Sequence, residues 1–86
     1  MQLKLQPSII RSFDAGSEVL TFVSVDFSDN RHVKVTGELA RLINACLSSH
    51  DSVESIITLD GLSSEDQQHF YECIDDLVKA KILEKT

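Results

Sequence analysis

"RHVKVTGELARLINACL", residues 31–47, changes its hydrophobic period in the middle. Up to Val35 the apolar residues alternate, with Val33 and Val35 on one face and His32 and Lys34 on the other, as a β-strand requires. From Leu39 onward they fall at Leu39, Leu42, Ile43, Cys46 and Leu47, the i, i+3, i+4, i+7, i+8 series of one helix face. The spacing predicts a short basic strand over 31–35 and a helix over 37–47, with Thr36 as its N-cap. How a strand runs almost directly into a helix decides the fold.

On the N-terminal side, "SIIRSF" (8–13) and "EVLTFVSVDF" (18–27) are rich in β-branched and aromatic residues, and "DAGS" between them supplies a glycine turn. "SDN" (28–30) is a second turn cluster. With residues 31–35 these segments predict a three-stranded antiparallel meander. Pro7 stands just before it, where its missing N–H does no harm.

On the C-terminal side, "SSHD" interrupts the helix. Asp51 and Glu54 then have capping-box spacing for a second, shorter helix, whose inward stripe is Val53, Ile56 and Ile57. A third helix begins near Ser63 or Ser64, carries Glu65 and Asp66 in its first turn, and aligns Phe70, Ile74, Leu77 and Val78 on one face. "KILEK" closes the chain, with Ile82 and Leu83 placed to tuck back under the sheet. The expected fold is α+β and winged-helix-like: one domain over 1–86, a three-stranded antiparallel sheet followed by three helices. Leu39, Leu42, Ile43, Ile56, Phe70, Ile74 and Leu77 are expected in one core.

A chain of 86 residues buries only roughly 60 to 65% of its unfolded surface and leaves no room for a deep active site. "MQLKLQPS" lacks the apolar stretch and cleavage site of a secretory signal, and the apolar runs are too short to span a bilayer. A cytoplasmic protein without a membrane partner is expected. The net charge of −6 is uneven: residues 1–50 balance five basic against five acidic side chains, so the excess lies in residues 51–86. That part would repel phosphate backbones and anionic membranes.

No glycine-rich phosphate loop or zinc-protease motif is present. Glu72, Asp75 and Asp76 read as a solvated helix face, since nothing apolar surrounds them to raise a pKa. No nucleophile has a base at readable spacing, so neither an enzyme nor a cofactor is expected. One metal constellation is worth weighing. Cys46 and His50 are four apart, as are His69 and Cys73, and together they supply the ligands of a tetrahedral zinc. Against it, both cysteines coincide with core-facing positions, and His50 falls in the turn after its helix. Two buried thiols and two surface imidazoles account for the same residues. DNA binding through the third helix would bring Glu65, Asp66, Glu72, Asp75 and Asp76 toward phosphates, with only His69 and Lys79 in compensation. No nucleic acid is expected, although a winged-helix DNA-binding domain, or another protein-interaction domain, stays as the alternative.

"VTGELARLINACLSSHDSVESIITL" followed by "FYECIDDLVKAKILE" resembles the PqqD-like family. Its members act as recognition elements for precursor peptides in the biosynthesis of ribosomally made, post-translationally modified peptides. Their second-helix pattern, T-V-x-x-I, is matched by Ser52, Val53 and Ile56, and their ending, L-x-x-x-G-L-L-E, by Leu77, Ile82, Leu83 and Glu84. The chain departs from the pattern at "SSHDS", where Asp-Gly is common, and at Lys81, where glycine is usual; the second departure questions the cap of the third helix. The resemblance implies a non-catalytic adaptor. It would bind the leader of a precursor peptide as an added strand and present it to a modifying enzyme of the same pathway. The expected peptide-binding residues are Arg31, His32, Val33, Lys34 and Val35 on the strand, with Tyr71, Ile74, Asp75 and Val78 on the third helix. The opposite margin of that helix, with Cys73 and Asp66, competes. An ordinary edge strand whose Arg31 and Lys34 discourage aggregation is the plainer account of the same residues.

Overall fold

Gly37 is the corner at which sheet becomes helix. In the computed structural model, which describes residues 1–86, Gly37 has φ 77° and ψ −151°, a region open to glycine and strained for any other residue. Its N–H donates to the Glu18 carbonyl at 2.9 Å, and its own carbonyl accepts from the Arg41 N–H at 3.3 Å. One residue thus closes the last rung of the sheet and opens the first turn of the helix.

Around this corner the chain runs β1 (Leu3–Leu5), β2 (Ile9–Asp14), β3 (Val19–Ser24), β4 (His32–Thr36), α1 (Glu38–Ser49), α2 (Val53–Asp60), α3 (Ser64–Lys79) and β5 (Leu83–Lys85). β2, β3 and β4 form the antiparallel meander, with β3 in the centre. The register sets Phe22 between Arg11 and Val33, and Leu20 between Phe13 and Val35. Leu20 and Phe22 are fully buried, so this row faces the helices. The alternate row, with Ile10, Ser12, His32 and Lys34, is exposed.

The core gathers residues from every element except β4, whose Val33 and Val35 are half-buried against it. Leu42, Ile43, Ile56, Phe70, Ile74 and Leu77 all belong to it, as expected; Leu39 is half-buried at its margin. No polar side chain is buried, so the domain rests on apolar packing and backbone pairing.

Four local expectations need correction. Thr36 does not cap α1: it remains in β4 because the ladder continues to Gly37, and the helix starts without any side-chain cap. α1 runs on past Leu47 to Ser49 and stops where His50 turns left-handed, at φ 60°. The cap of α2 is Ser52 rather than Asp51, its hydroxyl accepting from the Ser55 N–H at 3.1 Å. Residues 3–5, passed over in the strand reading, pair antiparallel with residues 83–85 as a second sheet. Ile82 and Leu83 are indeed fully buried, Ile82 just before that sheet and Leu83 as the first residue of its strand β5.

Lys81 shows how the third helix ends without glycine. It adopts φ 61° itself, and the Lys81 and Ile82 N–H groups donate to the Val78 and Leu77 carbonyls at 3.0 and 2.9 Å. This is a Schellman ending, sealed by apolar contact between the buried Ile82 and Leu77. A lysine in the left-handed region is strained where glycine would not be. Lys81→Gly is therefore expected to stabilise the domain by roughly 1 kcal/mol, and Gly37→Ala to destabilise it by about 1–3 kcal/mol; chemical denaturation reads both signs. By the same measurement Leu42→Ala, at a position 1% exposed, should cost roughly 2–5 kcal/mol. A neutral result there is incompatible with the helix phase described.

Candidate functional site

β4 is an edge of the meander, and hydrogen-bond alternation decides which of its backbone groups are free. The Ser24 N–H donates to the Arg31 carbonyl at 3.1 Å, and Gly37 donates to Glu18. Bonded and open positions alternate along an antiparallel strand. In this register Val33 and Val35 therefore direct their N–H and C=O groups toward β3, and His32, Lys34 and Thr36 direct theirs outward. No turn or loop bond reaches the outward groups. They form a short row of unsatisfied donors and acceptors, with the half-buried Val33 and Val35 side chains beside it on the inner face. Val33 and Val35, two apart on the strand, share one parity, so neither N–H faces outward.

The charges on the strand divide between two tasks. Arg31 is half-buried and turned inward on the fold: its guanidinium pairs with Asp29 and also donates to the Lys81 carbonyl just beyond α3. Its hydrogen bond holds the Asp29 carboxyl below the usual carboxylate range. Lys34 is exposed and enters no ion pair, so it is the cation that the strand offers to solvent.

The α3 residues are placed less uniformly than the sequence implied. Ile74 is fully buried, so it supports the helix from within the core and offers no surface to a ligand. Tyr71 and Val78 are half-buried on one margin, where the Tyr71 ring stacks beside Phe70 at a centroid distance of 6.5 Å. Asp75 is exposed on the same side and takes a salt bridge from Lys85 of β5 at 3.0 Å. That margin is thus tied to the second sheet. The only hydrogen bond between the β4 segment and the α3 end is the one from Arg31 to the Lys81 carbonyl.

Neither surface depression includes these residues. One, of about 460 Å³, is an open hollow on α2 lined by Asp51, Glu54, Ser55, Thr58 and Leu59; the other, of about 200 Å³, lies beside β1 and β2. An edge strand binds through a row of backbone groups, so the absence of a cavity there carries little weight.

The four candidate zinc ligands do not converge: no group of three or more His, Cys, Asp or Glu side chains is arranged to hold a metal ion. Burial, reinforced by Asp51 and Glu54, pushes the Cys46 thiol up to about 11, and burial also raises that of Cys73. Both side chains are thus held in the thiol form, which is a poor metal ligand and nucleophile. Comparison with protein-family models, with curated proteins and with solved structures finds no match to this chain.

The assignment of open and closed positions on β4 has a direct readout. Amide exchange at His32, Lys34 and Thr36 should be faster than at Val33 and Val35, which are locked to β3. Lys34→Pro removes an outward donor and should leave the melting temperature nearly unchanged, whereas Val33→Pro deletes a ladder bond and should lower it by many degrees. The reverse order would move the open row to the other parity.

Proposed function

We propose that this chain is a non-catalytic recognition domain that binds the leader of a ribosomally made precursor peptide by strand addition to β4 and presents it to a modifying enzyme. The observation that carries this reading is the outward row at His32, Lys34 and Thr36, which an extended peptide satisfies with its own backbone. The resemblance to the PqqD-like family supports it independently, through the pattern of apolar residues from the sheet corner to the end of α3.

The chemistry of the edge also narrows the partner. Two copies paired antiparallel across Lys34 would set two ammonium groups against each other, which disfavours self-association. A peptide with an acidic residue opposite Lys34 and apolar residues opposite Val33 and Val35 fits both faces of the strand. The acidic pairing contributes modestly, because it is exposed and screened. Tyr71, Asp75 and Val78 are assigned to the peptide's far side, Asp75 after release from Lys85. The acids exposed on α3, Glu65, Asp66, Glu72, Asp75 and Asp76, repel phosphates, so nucleic acid is not a partner in this reading. No helix is long and apolar enough to cross a membrane; a cytoplasmic site of action, without cofactor or membrane partner, belongs to the same proposal.

The test is a titration of isotope-labelled protein with a synthetic leader from a short reading frame next to its gene. Amide shifts are expected over residues 31–37 and along one margin of α3. Lys34→Pro should abolish binding, and Lys34→Gln should weaken it only a few-fold. Shifts confined to residues 8–27 would displace the docking edge to β2 and overturn the assignment.

A further inference from the structure

The depression of about 200 Å³ beside β1 and β2 has an unusual lining for a chain of net charge −6: Leu3, Leu5 and Leu47 together with Lys4, Arg11 and His50. Leu3 and Leu47 are buried and Leu5 half-buried, so the apolar part is a floor. Lys4, Arg11 and His50 complete the lining, and none of the lining residues is acidic.

Arg11 is the informative member. It belongs to the inward row of β2 and crosses to α1, where its Nη1 donates to the Asn44 side-chain oxygen and to the Ser48 hydroxyl, the latter at 3.2 Å. A guanidinium has five N–H donors. Two anchors on Nη1 leave Nε and Nη2, which lie together on one side of the planar group at the spacing of the two oxygens of a carboxylate. Neither has a hydrogen-bond partner in the protein, and no carboxylate of the chain pairs with Arg11. The other arginines differ: Arg31 is paired with Asp29, and Arg41 with Glu38 and Asp60. Arg11 is therefore held in place from one side and left open on the other.

The geometry points to a binding site for a small aliphatic carboxylate, with its head group on the Nε and Nη2 fork of Arg11 and its tail over Leu3, Leu5 and Leu47. At roughly 30 Å³ per heavy-atom-sized unit the hollow takes about seven non-hydrogen atoms, the size of pentanoate. Lys4 adds little, since it alternates to the face of β1 opposite Leu3 and Leu5 and pairs there with Glu84 at 3.1 Å. The C-terminal carbonyls of α1 oppose an anion, but their effect is confined to the last turn. One of them is engaged by a side chain, the Ser49 hydroxyl donating to the Ala45 carbonyl at 2.6 Å, and just beyond the helix the Gln2 side chain donates to the His50 carbonyl at 2.9 Å. This site is separate from the β4 edge and does not depend on the peptide-binding reading.

The experiment is a titration of the full, isotope-labelled chain with sodium pentanoate at constant ionic strength, with 1-pentanol and pentylamine as controls. Saturable shifts are expected at the amides of residues 3–5, 11 and 47–50, with a downfield shift of the Arg11 Nε–H resonance and a dissociation constant in the millimolar range or tighter. Neither control should reproduce them. Arg11→Gln, and equally Arg11→Lys, which keeps the charge but loses the fork, should weaken binding at least about tenfold. Shifts that fail to saturate, that pentanol reproduces, or that persist at full strength in Arg11→Lys would overturn the site. Should a variant unfold, the Arg11 Nε–H resonance of the unmodified protein decides the matter: it moves with pentanoate or the assignment is wrong.

Discussion

The hydrogen bond from Gly37 to the Glu18 carbonyl sets the terms for the rest of the domain. It requires β4 to stay extended up to its last residue, and the left-handed, extended backbone of Gly37 then turns the chain into α1 within a single residue. That abrupt corner brings the apolar stripe of α1 under β3, so Leu42, Ile43 and Cys46 share a core with Leu20 and Phe22. It also fixes the parity of the ladder. With Arg31 and Gly37 bonded to β3 at the two ends, the alternation leaves no freedom over which groups of β4 face outward.

The same parity separates structural from available charge. Arg31 sits on the inward-bonded row and ties the start of β4 to the end of α3, through Asp29 and the Lys81 carbonyl. Lys34 sits on the exposed row with no partner. At the opposite edge of the sheet, on β2, Arg11 combines the two roles, anchored through one nitrogen and open through two others. In a protein whose negative charge is concentrated on α2 and α3, these uncommitted cations on β2 and β4 are where an anionic group meets the least repulsion.

Much of this was legible from residue spacing. The helical phase that aligns Leu42, Ile43, Cys46 and Leu47, and that of Phe70, Ile74 and Leu77, depends only on the 3.6-residue period and reappears in the buried set. The alternation of Val33 and Val35 with His32 and Lys34 is likewise that of β4. The caps were harder to read, because Thr36, Ser52 and Asp51 are all chemically competent and the choice among them depends on where the preceding backbone stops being extended. β1 and β5 were missed for a different reason. Three-residue strands carry almost no periodic signal, and each becomes a strand only by pairing with a segment some eighty positions away in the chain.

The sequence by itself determined the class of the fold, the inward faces of its helices and the uneven distribution of charge, since each follows from local spacing and composition. The tertiary structure decided the register and its consequences: that Val33 and Val35 bond inward while His32, Lys34 and Thr36 face outward, that Ile74 lies beneath the surface, and that Arg31 is engaged while Lys34 is free. A strand carries the same side-chain alternation whichever parity its backbone bonds adopt. Only the partner strand, through the particular rungs at Ser24 and Glu18, selects one of them.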